Sequence, residues 1–333
     1  MENQKELEEK LINLLSREMS LTATCESLGI SELETLGLVK DIQDSGVNIV
    51  VNVKDDDVYM INQGDIKFQE ENTYEFKTNK DNEFKFVLIS DTRFGSTYQQ
   101  LSILNDIYLK AKDMGYSNVI HCGNISTGLY GSGDPYNETC FLPDTQRQID
   151  YIVSYYPKVD GIKTYFITGK IDDIHLKNKK INIGKRIAEQ REDMIYLGEN
   201  SCKTKIDNST MSIMSCPLGK SYTVSYRVQQ QIDSYRSEDK PDVLLMSGLL
   251  QMEKFTYRNV KCISVPSVCA TTKRMTNKRY SNTVGAWFVT IKTNKFGKLE
   301  SVDAIGSPYY VTRKDDYKSN KVLKIGGKKH ERN

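Results

Sequence analysis

The sequence lacks the features that mark several classes of protein. It contains no run of about 18 apolar residues, the length a helix needs to span a bilayer. Its first ten residues, MENQKELEEK, are acidic and polar, so they do not resemble a secretory signal with its apolar centre. We therefore expect no membrane association and a cytoplasmic location.

Paired cysteine motifs are also absent. The seven cysteines are scattered, and no two of them form a CxxC pattern. Neither a zinc module nor a disulfide framework is predicted, and a reducing compartment is the default for such a chain. The cysteines are Cys25, Cys122, Cys140, Cys202, Cys216, Cys262 and Cys269.

The composition is that of a folded globular protein. The 333 residues are 38% hydrophobic and 27% charged, and a chain of this length is long enough for two domains. We expect a small domain over residues 1–65, a linker over 66–82, a large domain over 83–315 and a disordered basic tail over 316–333.

Charge is distributed unevenly along the chain. Residues 1–65 hold 5 Lys and Arg against 14 Asp and Glu, a net charge of −9. Residues 261–333 hold 16 against 5, a net charge of +11, although the whole chain carries only +2. We call residues 1–65 the acidic head and residues 261–333 the basic rear. The two segments are expected to face different partners, or each other.

The acidic head has the pattern of a winged helix-turn-helix. Leucines at helical spacing predict a helix over 5–17, and a second over 20–28 ends at Gly29. Ser31 and Glu34 form a capping box that starts a third helix, which carries Leu33, Leu36, Leu38 and Ile42. Residues 47–61 predict a β-hairpin with its turn at 55–57.

The third helix would be the recognition helix of such a domain, but its charge disfavours DNA. DNA affinity comes mainly from Lys and Arg on phosphates. Lys40 is the single cation of this helix, against the acidic residues Glu32, Glu34, Asp41 and Asp44. We therefore favour contact with a protein partner, or simple domain packing, over DNA binding.

The large domain is organised around residues 83–96, EFKFVLISDTRFGS. Its apolar run stops abruptly at Ser90 and Asp91, as in a buried strand that delivers a carboxylate to the carboxyl edge of an α/β sheet. The residue two positions later is Arg93, a cation that cannot bind a metal. Strands and helices alternate from here on, and residues 63–82 before them suggest a linker or an edge hairpin.

Further strand ends follow at intervals along the chain. One is Cys122–Asn124, another is residues 168–172 with the sequence TGKID, and a third is residues 247–251 with the sequence SGLLQ. Residues 216–226, with the sequence CPLGKSYTVSY, lie between the second and the third of these strand ends.

These blocks resemble the calcineurin-like metallophosphoesterases, whose strand ends read SDxHxG, GDxxD, GNHD and GHxH. A phage and prokaryotic subset with blocks like HPxGGxxYAxSY and GHYHK is more similar still, and some of its members carry an N-terminal helix-turn-helix. The resemblance covers about residues 84–312. It implies an α/β fold, a two-sheet α/β sandwich, preceded here by the small winged-helix domain.

The metal ligands that the resemblance implies are almost all replaced. That family surrounds two close cations with carboxylate, amide and imidazole ligands. Of the eight matching positions only the first keeps its ligand type: Asp91, Arg93, Asn124, Lys170, Ile171, Cys216, Leu249 and Gln251. Asn124 stands for the bridging Asp, Lys170 for the Asn and Ile171 for the catalytic His. We therefore predict no catalytic residues, no metal site and no cofactor.

The glycines beside the lost ligands remain, and two cations stand where ligands would be. We attribute Gly95, Gly123, Gly169 and Gly248 to backbone turns at the strand ends. We predict that Arg93 and Lys170 pair with Asp91 and hold the strand ends together without metal.

Other residues could supply a replacement site. His121 is a possible ligand, although a packed strand histidine is the simpler interpretation. Asp172, Asp173 and His175, the last in a loop, could form a mononuclear site. Cys216 could be a nucleophile, but no base accompanies it and a buried thiol fits as well.

Two further features remain open at this level. The Lys220/Arg227 and Tyr222/Tyr226 pairs could grip a phosphate or lie on an ordinary surface. The aromatic loop 130–141 could be a contact surface or a packed Ω-loop.

Nucleic acid, if it binds, is expected on the basic rear. The segment KRMTNKRY joins positive charge to an aromatic ring, as nucleic-acid grooves often do. Its candidate contacts are Lys273, Arg274, Lys278, Arg279 and Tyr280. A solvated basic edge is the alternative.

The function that follows is a catalytically inactive phosphoesterase-like protein that acts as a binding or scaffold subunit. The resemblance implies a phage or mobile-element nucleic-acid process. The alternatives are a metal-dependent phosphodiesterase or nuclease with an altered metal site, and a winged-helix transcription regulator.

Overall fold

The computed structural model describes residues 2–44, 47–54, 57–65, 73–130, 139–219, 223, 225–237, 239–313, 316 and 324–325. The chain divides into two compact units, Met1–Glu71 and Asn72–Asn333. None of the helices in these ranges combines the length and the apolar composition that crossing a bilayer requires.

The described residues of the smaller unit form three helices and three strands. They are α1 (Glu2–Leu14), β1 (Met19–Ser20), α2 (Leu21–Leu28), α3 (Glu32–Asp44), β2 (Val47–Lys54) and β3 (Asp57–Asp65). The strands form one sheet in the order β1-β3-β2. This is the predicted order of helices and hairpin, with the added strand β1.

Caps and a small core hold these helices in place. The Ser31 amide donates to Glu34 Oε2 at 2.9 Å, and the Glu34 amide donates to Ser31 Oγ at 3.4 Å, which is the predicted capping box. Leu38 and Ile42 of α3 are buried, whereas Leu33 and Leu36 are exposed. The hairpin turn at Asp55 and Asp56 lies outside the described residues.

The larger unit is built from two six-stranded sheets. Its first half comprises β4 (Tyr74–Phe76), β5 (Glu83–Ile89), α4 (Leu101–Asp113), β6 (Asn118–Cys122), α5 (Thr145–Tyr155), β7 (Lys158–Val159), β8 (Lys163–Thr168), α6 (Asp173–Lys179), α7 (Ile183–Ala188) and β9 (Met194–Glu199). Its second half comprises β10 (Ser201–Ile206), β11 (Ser209–Ser215), α8 (Tyr226–Asp233), β12 (Val243–Ser247), β13 (Glu253–Tyr257), β14 (Val260–Ser264), α9 (Lys273–Asn277), β15 (Gly285–Thr293), β16 (Leu299–Pro308) and β17 (Lys324–Ile325).

The two sheets pack face to face, so the predicted two-sheet α/β sandwich is confirmed. One sheet has the order β16-β15-β5-β6-β8-β9 and the other β13-β14-β12-β11-β10-β4. Phe86 and Leu88 belong to the core shared by strands of both sheets, whereas Val87 and Ile89 pack in a second core with α4 and α5. Burial on both faces explains why β5 reads as a continuous apolar run.

Several predicted boundaries need correction. Residues 74–76 are not part of a linker, because β4 pairs in parallel with β10 and Phe76 packs on Phe84 at 4.6 Å between ring centroids. Two helices, α6 and α7, lie between β8 and β9, and α8 begins at Tyr226. Residues 220–222 lie outside the described residues.

The basic tail is not wholly irregular. Lys324 and Ile325 pair in parallel with Lys158 and Val159, which the prediction of disorder did not anticipate. The rest of the tail beyond Asp316 lies outside the described residues, as do residues 66–72 of the predicted linker.

Candidate functional site

The strand ends singled out in the sequence meet at one edge of the sandwich. The Asp91 amide donates to the Gly123 carbonyl at 3.0 Å, and the Ile171 amide donates to Asn124 Oδ1 at 3.0 Å. In the second sheet the Cys216 amide donates to the Ser247 carbonyl at 3.3 Å. Hydrogen bonds therefore join the ends of β5, β6 and β8, as expected where parallel strands share a carboxyl edge.

A buried ion pair occupies the centre of this edge. Arg93 donates to Asp91 Oδ2 through Nε at 3.1 Å and Nη2 at 2.8 Å. The Asp91 side chain is fully buried, and only 5% of the Arg93 side chain is exposed. Burial disfavours the guanidinium charge, but the Asp91 carboxylate and other neighbours outweigh it, so the pKa of Arg93 lies above its usual value.

Lys170 does not share in this pair, and that part of the prediction is wrong. Its ammonium lies 3.5 Å from Asp173 Oδ2, and 47% of its side chain is exposed. The second side-chain partner of the Asp91 carboxylate is Asn124, whose amide donates to Asp91 Oδ1 at 3.1 Å. The Asp91 carboxylate is therefore held by Arg93 and Asn124.

These residues do not fit the pair of metals that the resemblance implies. Both oxygens of Asp91 already accept hydrogen bonds, and Arg93 brings a cation where a ligand would stand. Ile171 and Leu249 offer no ligand atoms in their side chains. Across the part of the chain that the structure describes, no three His, Cys, Asp or Glu side chains come together as a metal site.

The backbone keeps unusual conformations at this edge. Asp91, Arg93, Asn124 and Leu250 have φ values of 50°, 48°, 57° and 59°. Such left-handed conformations cost non-glycine residues about 1–2 kcal/mol each, and strain of this kind concentrates at functional sites. The turns at this edge therefore include four strained non-glycine positions.

The neighbouring glycines are required for two different reasons. Gly248 has a φ of 89°, and a Cβ atom there would lie 2.1 Å from the Cys216 carbonyl oxygen. Gly169 has no such φ, and a Cβ on it would lie 2.5 Å from Asn124 Oδ1. The role predicted for Gly169, a backbone turn, is therefore close packing instead.

A second buried carboxylate, Asp172, ties β6 to β8. It accepts from the amides of Ile125 at 3.1 Å, Ser126 at 2.9 Å and Gly169 at 2.8 Å, and from Ser126 Oγ at 2.6 Å. Burial raises the pKa of Asp172 to about 6, although these hydrogen bonds oppose the shift.

The side chains of Asp172, Asp173 and His175 do not come together as a metal site, so the possible replacement site is not formed. His175 is buried in α6, not in a loop, and contacts Ser126 Oγ and Thr145 Oγ1 at 3.0 Å each. Asp173 turns towards Asn200, whose amide nitrogen lies 3.0 Å from its Oδ2. Because Ser126 Oγ donates to Asp172, the His175 contact is consistent with a proton on Nε2.

His121 is a packed histidine in the middle of the molecule. It is fully buried, it accepts the Gly123 amide at Nδ1 at 3.2 Å, and its Nε2 lies 3.0 Å from Thr92 Oγ1. Burial lowers the pKa of His121 to about 3. Both ring nitrogens have protein partners, so His121 is not available as a ligand.

Cys216 is a buried thiol, and the described residues place no base beside it. Its Sγ lies 2.9 Å from the Ser247 carbonyl, and burial raises its pKa to about 11. A thiol of that pKa is a poor nucleophile at neutral pH.

Only half of each pair that could grip a phosphate lies within the described residues. Arg227 donates to the Pro217 carbonyl at 2.7 Å, and Tyr226 is half exposed. Their partners Lys220 and Tyr222 lie outside the described residues.

The structure gathers the predicted nucleic-acid residues on α9 and the turn after it. Thr272 caps α9 by accepting the Met275 amide at 3.2 Å, and Met275 is fully buried. This anchor directs four cations outward, while Tyr280 is half-buried. The exposed cations are Lys273, Arg274, Lys278 and Arg279; we call them, with Tyr280, the α9 patch.

The α9 patch adjoins the strand-end edge. Ser267 Oγ donates to the Asp91 carbonyl at 3.3 Å, and the Val268 amide donates to the Ser90 carbonyl at 2.9 Å. Burial raises the pKa of Tyr130, and the charges of both Arg93 and Arg274 oppose that shift. Residues 131–138 of the aromatic loop lie outside the described residues.

Sequence reasoning missed the loop 265–270 that connects this edge to the α9 patch. Its only local signal is the serine- and valine-rich stretch before the basic segment.

A cavity of about 460 Å³ lies away from this edge, at the amino-terminal ends of β6 and β8, where Asn118 and Lys163 line it. That cavity contains none of the vestigial ligand positions.

Comparisons with known proteins return structures only. No family model and no curated protein matches this sequence. Similar solved structures include an archaeal phosphodiesterase, with a TM-score of 0.38 and 12% identity over 67% of this chain and 99% of its own. Vacuolar Protein Sorting 29 of Cryptosporidium parvum matches at 0.34 and 11%, over 69% of this chain and 99% of its own.

A putative 5'-nucleotidase from Staphylococcus aureus is also similar, with a TM-score of 0.36 and 11% identity over 71% of this chain and 57% of its own. All three similarities have identities of 11–12% and TM-scores of 0.34–0.38. TM-scores below 0.5 support no inference from them to the chemistry of this chain.

Proposed function

We propose that this protein is a non-catalytic phosphoesterase-like protein that binds nucleic acid as a scaffold subunit. The observation that carries the proposal is the Asp91–Arg93 ion pair, because it fills the centre of the strand-end edge with the protein's own charges. A phage or mobile-element process is the setting we propose, in keeping with the resemblance.

Water activation would need groups that this edge does not supply. Hydrolysis of a phosphodiester requires a base or a metal to generate hydroxide and an acid to protonate the leaving group. Here Ile171 stands at the position of the catalytic His, and Cys216 is a thiol of raised pKa. The Asp91 carboxylate accepts from Arg93 and Asn124 and is not free to act.

The α9 patch supplies the binding surface in this proposal. No acidic residue stands between Glu253 and Glu300, so the segment that contains α9 carries positive charge alone. Lys and Arg contribute the phosphate contacts, and a half-buried tyrosine offers a ring for a base to stack on. Recognition of this kind is independent of sequence.

Metal content and activity test the first half of the proposal. Protein purified without chelator should contain less than one equivalent of Mn, Fe and Zn together. It should not hydrolyse an aryl phosphodiester or single-stranded DNA in the presence of Mn²⁺. Two equivalents of metal, or activity that disappears in an Asp91→Ala variant, would instead support a metal-dependent phosphodiesterase with an altered site.

Binding to labelled single-stranded DNA and RNA tests the second half. Affinity should fall steeply with salt, and the Lys278→Gln/Arg279→Gln double variant should lower the slope of log K against log salt by about 1.4, since each contact to a single strand contributes about 0.7. Lys177→Gln/Lys179→Gln removes the same charge from the exposed end of α6 and should leave the slope nearly unchanged. Equal losses in both variants would contradict a patch at α9.

A further inference from the structure

The solvent-facing side of α3 has an unusual composition. Thr35, Leu38, Val39 and Ile42 face the core of the small unit. Leu33, Gly37 and Lys40 follow one another at spacings of four and three residues, so they lie along one line on the opposite side of the helix. Leu33 is 83% exposed and the adjacent Leu36 is 40% exposed.

Gly37 has no role in the packing of the unit. It lies in the interior of α3, where glycine costs about 0.5–1 kcal/mol relative to alanine. A Cβ atom built on it meets no heavy atom within 4 Å. Internal packing therefore does not explain the missing side chain, whereas a partner that approaches the helix backbone closely would.

The charge around this face specifies the partner. Glu32, Glu34 and Asp41 are exposed on α3 beside the single cation Lys40, and residues 1–65 have a net charge of −9. Nucleic acid and a second copy of the same acidic unit would both be repelled. A cationic surface with an apolar stripe is complementary in both respects.

From these observations we infer that α3 is a docking surface for a cationic amphipathic helix of another protein. Leu33 and Leu36 enter between the apolar side chains of that helix, and Gly37 admits its closest approach. Glu32 and Asp41 meet its basic residues at the rim. This inference concerns the small unit and does not rest on nucleic-acid binding by the α9 patch.

The test uses the full-length protein and a synthetic helical peptide of leucine and lysine at amphipathic spacing. A peptide with glutamate in place of lysine is the charge control. The lysine peptide should bind at least about tenfold more tightly than the glutamate peptide. Leu33→Ala should then weaken its binding about tenfold, and Met114→Ala, which trims an exposed side chain of the larger unit, should not.

Gly37→Leu separates docking from folding. Leucine favours a helix more than glycine does, and the space beside Gly37 is open, so the melting temperature should rise or stay the same. Peptide affinity should nevertheless fall about tenfold or more because the new side chain blocks close approach. A loss of affinity without a loss of stability is not expected from a structural residue.

Charge variants complete the test. Glu32→Gln/Asp41→Asn should weaken binding several-fold more than Glu9→Gln/Glu26→Gln, which removes the same charge from other exposed positions of the unit. The inference is overturned if the Leu33 and Gly37 variants bind like the parent, since attraction would then be general. It is equally overturned if light scattering shows a dimer that Leu33→Ala dissociates.

Discussion

Two carboxylates are buried at two strand ends on the same edge of the larger unit, and they are held in opposite ways. Asp91, after β5, lies against the guanidinium of Arg93 at 2.8 Å. Asp172, after β8, has no cation and is held by three backbone amides and the hydroxyl of Ser126. The first is a salt bridge inside one tight turn, and the second is a hub that joins separate strands.

The contrast shows two solutions to the cost of burying a charge. An ion pair compensates charge with charge, but it leaves a large penalty if one partner is removed. Neutral donors compensate only in part, and the residual cost appears as the raised pKa of Asp172, about 6. The Asp91 site should therefore be sensitive to substitution and the Asp172 site to pH.

Arg93→Met should produce the largest change, because it leaves Asp91 buried and without its cation. Removing one partner of a buried pair typically costs about 3–5 kcal/mol of unfolding free energy. Chemical denaturation measures this directly. The Asp91→Asn/Arg93→Met double variant is the control and should recover much of the loss; if it does not, the packing of Arg93 matters more than its charge.

The pH dependence of stability should separate the two sites. A carboxyl group with a raised folded-state pKa contributes stability that is present below its unfolded pKa of about 3.9 and is lost as pH rises through its folded value. Asp172 should therefore make the protein progressively less stable between about pH 4 and 6. The effect is on the order of 3 kcal/mol.

The measurement compares the free energy of unfolding of the parent with that of the Asp172→Asn variant between about pH 4 and 6. Burial lowers the pKa of His121 to about 3 and of His175 to about 4, so the histidines contribute with the opposite sign as pH falls from about 6.5. They are present in both proteins and cancel to first order in the difference. A difference that is constant with pH would remove the proposed contrast.

Ser126→Ala should lower the free energy of unfolding by an intermediate amount. It removes the hydroxyl between Asp172 and His175, and a hydrogen bond to a charged group is worth about 1.5–3 kcal/mol. The pH-dependent region should also move upward, because one donor that favours the ionised Asp172 is lost. The exposed Ser117 provides the control substitution Ser117→Ala, which should change neither property.

Lys170→Ala should have the smallest effect. The Lys170–Asp173 pair is separated by 3.5 Å and is nearly half exposed on the lysine side. Exposed pairs contribute about 0–1 kcal/mol, so thermal melting should scarcely change. A destabilisation as large as that of Arg93→Met would restore the first expectation that both cations neutralise Asp91.

Much of this site was readable from local sequence. The apolar run before Asp91 predicted a buried strand, and the resemblance of the blocks to a known family implied which turns meet at one edge. Arg93 at a ligand position and Ile171 at the position of the catalytic His indicated that the implied metals do not fit these residues. Ser31 and Glu34 likewise predicted the start of α3, because a cap requires only residues three positions apart.

Only the tertiary structure determined which ion-pair and hydrogen-bond partners these side chains have. Lys170 and Arg93 are equivalent as charges in the sequence, yet Arg93 turns into the core and Lys170 turns out to Asp173. The contact from Ser267 to Asp91 spans 176 residues, and β4 joins β10 across a similarly long separation. Local periodicity specifies elements and their ends, but side-chain direction and burial depend on contacts between segments distant along the chain.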